Sequence, residues 1–582
     1  AGRIRVTQEL AGSHGAVATG RAAVERDAEC AAAGANTASF LMAACGGVDT
    51  AGDAITGHYN GKIDGPSLFS RALSVEELAA LASGVPPGGA VAAWDLGRDF
   101  SSATVTDGSP YGLHGQAVNM PARAVTGHNW SGREVDFRNV PQEYAAIYFH
   151  DDDLEDAGWE VDFELTIPGG MRSGIYAARL RAGDVDEDYV PFFVPPKRGT
   201  ASSPIAFLAP TNSYVAYANF HVPADPIRRA RWKRQTGREM FAYPVQRQDR
   251  YVVENKLLSL YDRHTDTSGV AYSSRLRPNL SMRPKYIFQM LGEGKGGSHQ
   301  FNADLHLVDW MEAKGFEHDV VTDENLHFEG AELLAPYRVV VTGSHPEYWS
   351  GQMLDALEAY LGNGGRLMYL GGNGFYWVTT FAPDRPHVIE VRRCNGTRTW
   401  ETDPGESHHS TTGEQGGLWR ARGRPPQKLT GVGFTAHGFD KSRPYRVQPD
   451  AADEHVAFIL EGVDWSQPIG DFGLVMGGAG GFEVDRADED LGTPPHAAVV
   501  ATASGFSDAY QHAVEEVLGS DSKQGGSVNP LVRGDMVYFD RPAGGAVFSV
   551  GSITWCGSLS HNGYDNNVSR ITDNVLSRFA AP

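Results

Sequence analysis

The hydrophobic rhythm of the chain changes as it runs. Between residues 130 and 200, apolar and polar positions alternate with period two in Tyr144–Phe149, Trp159–Ile167 and Gly174–Leu180, closing on Val190-Pro-Phe-Phe-Val-Pro-Pro196. That alternation predicts short antiparallel strands with one solvated face, here a small β-sandwich. From residue 285 the pattern shifts to unbroken apolar runs separated by helical spacings. Lys285–Gln289 reads as a strand. Ala303–Lys314 reads as a helix burying Leu305, Val308, Trp310 and Met311, with Gly315 at the left-handed cap position. Strands follow at Asp319–Thr322 and Tyr337–Thr342, a helix at Gly351–Leu361 and a strand at Arg366–Leu370. Strands alternating with helices of this length predict βαβ units and a parallel sheet of the flavodoxin or glutamine-amidotransferase-like kind. Residues 395–450 are polar and rich in Gly and Arg, and read as a surface excursion able to act as a lid. A β-rich stretch, Met536–Trp555, leads into a terminal helix, Val568–Phe579. Nearer the start, Ser74 and Glu77 make a capping box for a short helix, and Ala90–Leu96 reads as a strand. The expected organisation is therefore multidomain, α/β plus β: 1–125, 126–200 and 201–582.

Composition narrows the class. At 582 residues the chain is long enough for several domains and large cores. Apolar residues at 41% and charged residues at 21% exclude wholesale disorder. With 72 acidic against 50 basic residues, the net charge of −22 repels phosphate backbones and anionic lipid. Neither nucleic acid nor a membrane surface is expected as a partner. No 18-residue apolar run is present, so no transmembrane helix is expected. The opening Ala-Gly-Arg-Ile-Arg has neither an initiator Met nor an apolar leader, and reads as a truncated or processed start. The four cysteines, Cys30, Cys45, Cys394 and Cys556, show no metal-type spacing. Cys30 and Cys45 could pair, but so few cysteines in so long a chain read as reduced thiols in a cytoplasmic protein.

In open parallel sheets, ligands bind beyond the carboxyl ends of the strands. Two such ends carry polar residues: Gly343-Ser-His-Pro-Glu-Tyr-Trp349 and Gly371-Gly-Asn-Gly-Phe-Tyr-Trp377. His345, Glu347 and Asn373 are the first candidates for chemistry. Pro346 restricts the local backbone and can aim Glu347 into a cleft, although an acid in a first helical turn would look the same. Tyr214, Tyr217 and Tyr261 read singly as packing residues with hydrogen-bonded tips, on strands. Glu483 follows a Gly-rich run that lacks the Lys and Ser/Thr of a phosphate loop, so a flexible turn with an Asp485–Arg486 surface pair is the competing view. His408-His409 reads as a solvated pair, and Cys394 and Cys556 as inert. Tyr348, Trp349, Phe375, Tyr376 and Trp377 divide between pocket wall and core.

Longer motifs carry two resemblances. Gly61-Lys-Ile-Asp64, Leu68-Phe-Ser-Arg-Ala-Leu-Ser74 and Asp107–Gly115 resemble the closing end of a laminin-G/concanavalin-like jelly roll whose beginning is missing. Gly343–Ser350, Leu367–Trp377, Gly416-Gly-Leu-Trp-Arg420, Ser552–Ser560 and the Val190–Pro196 stretch resemble the large (beta) subunit of the N,N-dimethylformamidase family, from about residue 140 onward. That resemblance implies an amidohydrolase cleaving a small, neutral formamide to formate and an amine. It also implies one ferric ion, Fe(III), held by Tyr217, Tyr261 and Glu347, with Tyr214 the alternative to Tyr217. The Arg-rich segment Phe220–Lys256 departs from the family pattern. By the same resemblance Glu483, His345 and Asn373 are catalytic or supporting residues and a small partner subunit belongs to a hetero-oligomer; the chemistry expected of them is Glu483 as general base and His345 and Asn373 as oxyanion donors. Three hard oxygen donors suit a hard trivalent cation. The competing readings are a carbohydrate-binding or glycoside-active protein, using the jelly roll and paired carboxylates, and a non-catalytic scaffold descended from an enzyme.

Overall fold

A computed structural model of the chain describes residues 2–4, 28–30, 39–46, 55–183, 186–220, 230, 234, 246–288, 297–517, 519 and 523–582. They fall into two units, Ala1–Tyr59 and Asn60–Pro582. The first contains short antiparallel ladders, Gly2–Ile4 with Ala28–Cys30 and Cys45–Gly46 with Ile55–Thr56.

The second unit is organised on an eight-stranded sheet. Its strands are β1 (Ile205–Ala209), β2 (Asp319–Thr322), β3 (Val339–Thr342), β4 (Arg366–Tyr369), β5 (Tyr445–Val447), β6 (Ala498–Ala503), β7 (Gly534–Asp540) and β8 (Ala546–Ser549). Across the sheet the order is β2-β1-β3-β4-β8-β7-β6-β5. The pairs from β2 through β8 are parallel, and those from β8 to β5 are antiparallel. β1 and β3 are buried at every position, as unbroken apolar runs require when both faces of a sheet are covered. Helices α1 (Thr211–Ala216), α2 (Phe301–Lys314), α3 (Gly351–Gly362) and α4 (Asn567–Ala580) supply the covers. On one side Trp310 and Met311 of α2 and Ile571 and Leu576 of α4 pack with Phe207 and Val341; on the other, Leu357 and Leu361 of α3 pack with Leu208 and Val340. Leu305 and Val308 are only partly buried, whereas Leu307 is fully so. Gly315 caps α2 in the left-handed region (φ 77°), as its position predicts.

The mixed α/β character and the parallel strands match expectation. Ahead of them lie antiparallel sheets: Ser67–Phe69, Ala90–Asp95, Thr104–Asp107 and Gly115–Gln116 in one, and Gly61–Asp64, Ala146–Phe149 and Ala122–Val125 in another. The capping box of Ser74 and Glu77 starts the helix Val75–Ala82. Gly174–Ala182 and Asp186–Val194 form a nine-residue hairpin ladder.

Several expectations need correction. Trp159–Ile167 pairs with no strand among the described residues, and its apolar side chains stand exposed. Alternation supplies a face for a strand but not the neighbouring backbone that completes one. Lys285–Phe288 is not a strand either. Lys285 turns through a positive φ of 67°, the Tyr286 hydroxyl is held by Asp249, and only Phe288 makes a bridge, to Gly297; Gln289 lies outside the described residues. Much of 395–450 is interior rather than lid: Trp400, Leu418, Trp419, Leu429 and Phe434 are buried. Its polar residues serve internal bonds. Glu390 accepts from Arg392, Ser410 and Thr411, and His409 is buried against Thr380 rather than solvated. His408 is likewise buried.

Candidate functional site

The parallel strands deliver the polar residues to one place. Gly343–Glu347 leaves the carboxyl end of β3, Gly371–Asn373 follows β4, and α1 begins after β1. The backbone there is tightly packed. A Cβ on Gly371 would lie 2.5 Å from the Ser344 carbonyl oxygen, and one on Gly372 would lie 2.6 Å from that of Glu483. Asn373 then takes a left-handed φ of 48°, pinned by its N–H to Asp485 Oδ1 at 2.7 Å. Glu347 is fastened to α1, its N–H donating to Ser213 Oγ at 3.0 Å. Tyr217 stands at the C-cap of the same helix, not on a strand.

Around the Glu347 carboxylate the geometry is close. The Tyr217 hydroxyl donates to Glu347 Oε2 at 3.0 Å and the Tyr261 hydroxyl at 2.7 Å, with 2.6 Å between the two phenol oxygens. His345 Nε2 is 3.0 Å from the same carboxylate oxygen and 3.6 Å from Glu483 Oε2. The other His345 nitrogen, Nδ1, faces the Gly372 carbonyl at 2.8 Å. Trp377 Nε1 donates to Glu347 Oε1 at 2.9 Å, and Asn373 Nδ2 donates to Glu483 Oε2 at 2.8 Å. All six residues singled out for chemistry are thus brought together. Tyr214 is not: its hydroxyl donates to Asp304 Oδ2 at 2.5 Å, inside the core. Asp304 also accepts from the Ser344 N–H and hydroxyl, so Tyr214 anchors the turn behind the site. Glu483 and Asp485 belong to a strand, Glu483–Arg486, in place of the expected flexible turn. Asp485 is buried with Tyr369 as its hydroxyl donor instead of forming a surface pair with Arg486.

Electrostatics divide the acids into two kinds. Burial disfavours the Glu347 carboxylate, but His345 and the Arg393 guanidinium outweigh it and hold its pKa below the usual value. Burial, with the Glu347 charge added, pushes Glu483 up to about 7. Burial also opposes charge on His345, yet Glu347 and Glu483 raise it to about 9. Both phenols are driven well above their ordinary value, by burial first and Glu347 second. One carboxylate is therefore held ionised, while the other is poised to gain or lose a proton near neutrality.

Sequence reasoning missed three contributors. Arg393 lies between the rings of Tyr261 (4.5 Å) and Trp377 (4.4 Å) and donates to the Tyr348 hydroxyl at 2.7 Å. Two arginines closing the Val388-Ile-Glu-Val-Arg-Arg393 run, whose one acid is Glu390, were the available signal. His299 is buried with its ring 5.0 Å from that of Tyr217, and Nδ1 has no hydrogen-bond partner among the described residues. Nothing in its local sequence marked it. The Trp377 indole N–H, read only as part of an aromatic wall, orients Glu347 directly. A cavity lined by Tyr217, Phe220, Phe288, His299 and Gln300 opens beside the cluster.

The donor set fits a hard trivalent cation. Two phenols and a carboxylate, buried and within 3.0 Å of one another, would total three negative charges once deprotonated, more than the His345 and Arg393 charges beside them offset, and a bound cation would supply the difference. Elsewhere, His150, Asp153 and His264 bring three ligand atoms within 4.8 Å of one another.

Comparison with known proteins places the chain in a family. Residues 122–566 match the family model described as N,N-dimethylformamidase beta subunit-like, C-terminal. The N,N-dimethylformamidase beta subunit of Paracoccus aminophilus is 44% identical over 534 residues, covering 90% of this chain and 68% of its own. That of an Alcaligenes species is 43% identical over 572 residues, covering 96% and 73%. A solved ThuA-like protein from Bacteroides uniformis aligns at 13% identity with 48% of this chain and 82% of its own, but its TM-score of 0.25 carries no argument.

Proposed function

Since the chain belongs to the N,N-dimethylformamidase beta-subunit family, hydrolases of an amide C–N bond, we propose that it cleaves a small formamide such as N,N-dimethylformamide to formate and an amine. The observation that carries this reading is the meeting of Tyr217, Tyr261 and Glu347 beside a second carboxyl, Glu483, whose Oε2 lies 3.6 Å from His345 Nε2. Tyr217, Tyr261 and Glu347 would hold one ferric ion. When bound, it supplies a Lewis acid that polarises an amide carbonyl and acidifies water.

The remaining steps belong to the chain. Glu483 accepts a proton from the attacking water as its oxygen bonds to the carbonyl carbon. The same carboxyl returns that proton to nitrogen as the C–N bond breaks, so formic acid and the amine leave, and the acid gives up its own proton to the amine or to water to become formate. His345 offers Nε2–H to the oxygen that gains charge, with Nδ1–H tied to the Gly372 carbonyl. The Asn373 amide orients Glu483. Phe220, Phe288 and His299 give a compact, mostly apolar chamber suited to N-methyl groups. Because the relatives are named beta subunits, the working enzyme is expected to include a second kind of subunit.

The test is iron analysis of the purified protein combined with amine release from dimethylformamide. About one iron per chain, a visible phenolate charge-transfer band and amine release are expected. Glu347→Ala should lose all three. Iron and turnover retained in that variant would overturn the assignment.

A further inference from the structure

The turn His150–Asp153 follows the strand Ala146–Phe149, and His264 lies in the loop that also carries Tyr261. The imidazoles of His150 and His264 stack, 3.7 Å between centroids and 6° from parallel, and both turn a nitrogen toward Asp153. Asp153 Oδ1 is 3.2 Å from His150 Nδ1 and 3.9 Å from His264 Nε2. A tetrahedral cation bonded at about 2.0–2.1 Å sets its ligand atoms roughly 3.3–3.4 Å apart. The two separations bracket that spacing, and the stacked rings swing apart to admit an ion, since two imidazoles on one tetrahedral ion hold their centroids about 5 Å apart.

The outer contacts are those of a metal site. Metal-bound imidazoles pass their second nitrogen to a carboxylate or hydroxyl that fixes tautomer and ring orientation. His264 Nδ1 meets Asp152 Oδ1 at 2.6 Å, and Asp152 is itself fixed by the Thr265 N–H at 3.0 Å and hydroxyl at 3.1 Å. His150 Nε2 meets Ser268 Oγ at 3.1 Å, and Ser268 is fixed by Asp266. Each ring is thus oriented from behind and leaves one nitrogen directed at Asp153. Both imidazoles are nearly fully buried, and a cavity lined by Asp152, Asp153, His264 and Tyr272 adjoins them, where a water can complete the coordination.

We propose that His150, Asp153 and His264 bind a structural divalent cation of the zinc class, separate from the site at Glu347. Two neutral imidazoles and one carboxylate are borderline donors, unlike the all-oxygen set at Glu347. The ion would tie the strand Ala146–Phe149 to the loop that presents Tyr261. The proposal does not rest on the hydrolase reading.

The test is metal analysis of the full protein, equilibrated with Zn2+ and desalted, with iron and zinc counted separately. About one zinc per chain is expected. Asp153→Asn and His264→Gln should each lose the zinc. Asp152→Asn should weaken it about 10- to 100-fold, with the ligands themselves untouched. Cobalt(II) added to metal-stripped wild-type protein should give a ligand-field band that zinc displaces, a readout independent of how the variants fold. No bound zinc in wild type, no cobalt band, or zinc content unchanged in both ligand variants would overturn the proposal. Absent iron with zinc present would count against the hydrolase reading alone.

Discussion

Glu347 and Glu483 have the same side chain and opposite settings. His345 and Arg393 hold Glu347 ionised against the cost of burial, and Trp377 and Ser213 fix its direction. Glu483 faces the negative charge of Glu347 from a partly buried position, so burial and repulsion both favour its protonated form. A group with a pKa of about 7 can take and return a proton within one turnover. Glu483→Gln removes that capacity without touching the three oxygens assigned to the metal. Its iron content should match wild type, while kcat falls about 10²- to 10⁴-fold and the ascending limb of the pH–rate profile disappears. Full activity with an unchanged pH profile would exclude Glu483 as the base.

At the scale of elements, the strand Glu483–Arg486 must hold its carboxyl steady. It pairs with Gly433–Gly438, which pairs in turn with Tyr510–His512. Glu516 locks the outer end, accepting from His512 Nε2 at 2.7 Å, from Arg420 Nη1 at 2.8 Å and from Arg486. Burial opposes its charge, but His512 and Arg486 prevail and bring its pKa from 4.5 to about 2. The folded pKa lies below the unfolded one, so the stabilisation is complete above pH 4.5 and fades as pH falls toward 2. Its size is on the order of 3 kcal/mol. Glu516→Gln should lower stability by about that much at pH 7, and the two proteins should converge in acid. Chemical denaturation at several pH values measures this. A gap that does not change with pH would show that the carboxylate's charge is not the cause.

For the whole molecule, a large core lets a charged cluster stay buried at the strand ends. β1, β3 and β4 form the centre of the parallel half of the sheet, and the loops leaving them converge. The cation proposed there would add to folding stability, because the unfolded chain cannot assemble three distant oxygens. If the proposed ferric ion is bound, chelation should bleach the visible band and lower Tm by several degrees, and adding ferric ion back should restore both. Unchanged Tm in a bleached sample would mean that the cluster is held by packing alone. The net charge of −22 disfavours polyanionic partners and leaves a neutral amide unhindered.

Local rules determined much of this protein in advance. Apolar runs specify buried parallel strands because such a sheet hides both faces, and Gly315 and Ser74 mark helix ends because few residues suit those backbone demands. The His-Pro-Glu and Gly-Gly-Asn-Gly turns were legible for the same reason: they sit at strand ends, and Gly371 and Gly372 have no room for a side chain. Tertiary structure alone decided the rest. It chose Tyr217 over Tyr214 because Asp304, 90 residues away, captures one phenol while Glu347 meets the other. It brought Arg393 and His299 to the site from stretches with no signature of their own. It also left Trp159–Ile167 without a partner strand among the described residues and turned much of the polar 395–450 stretch inward. Periodicity along a chain records which side of a residue is apolar; which distant group answers it depends on the packing of the whole.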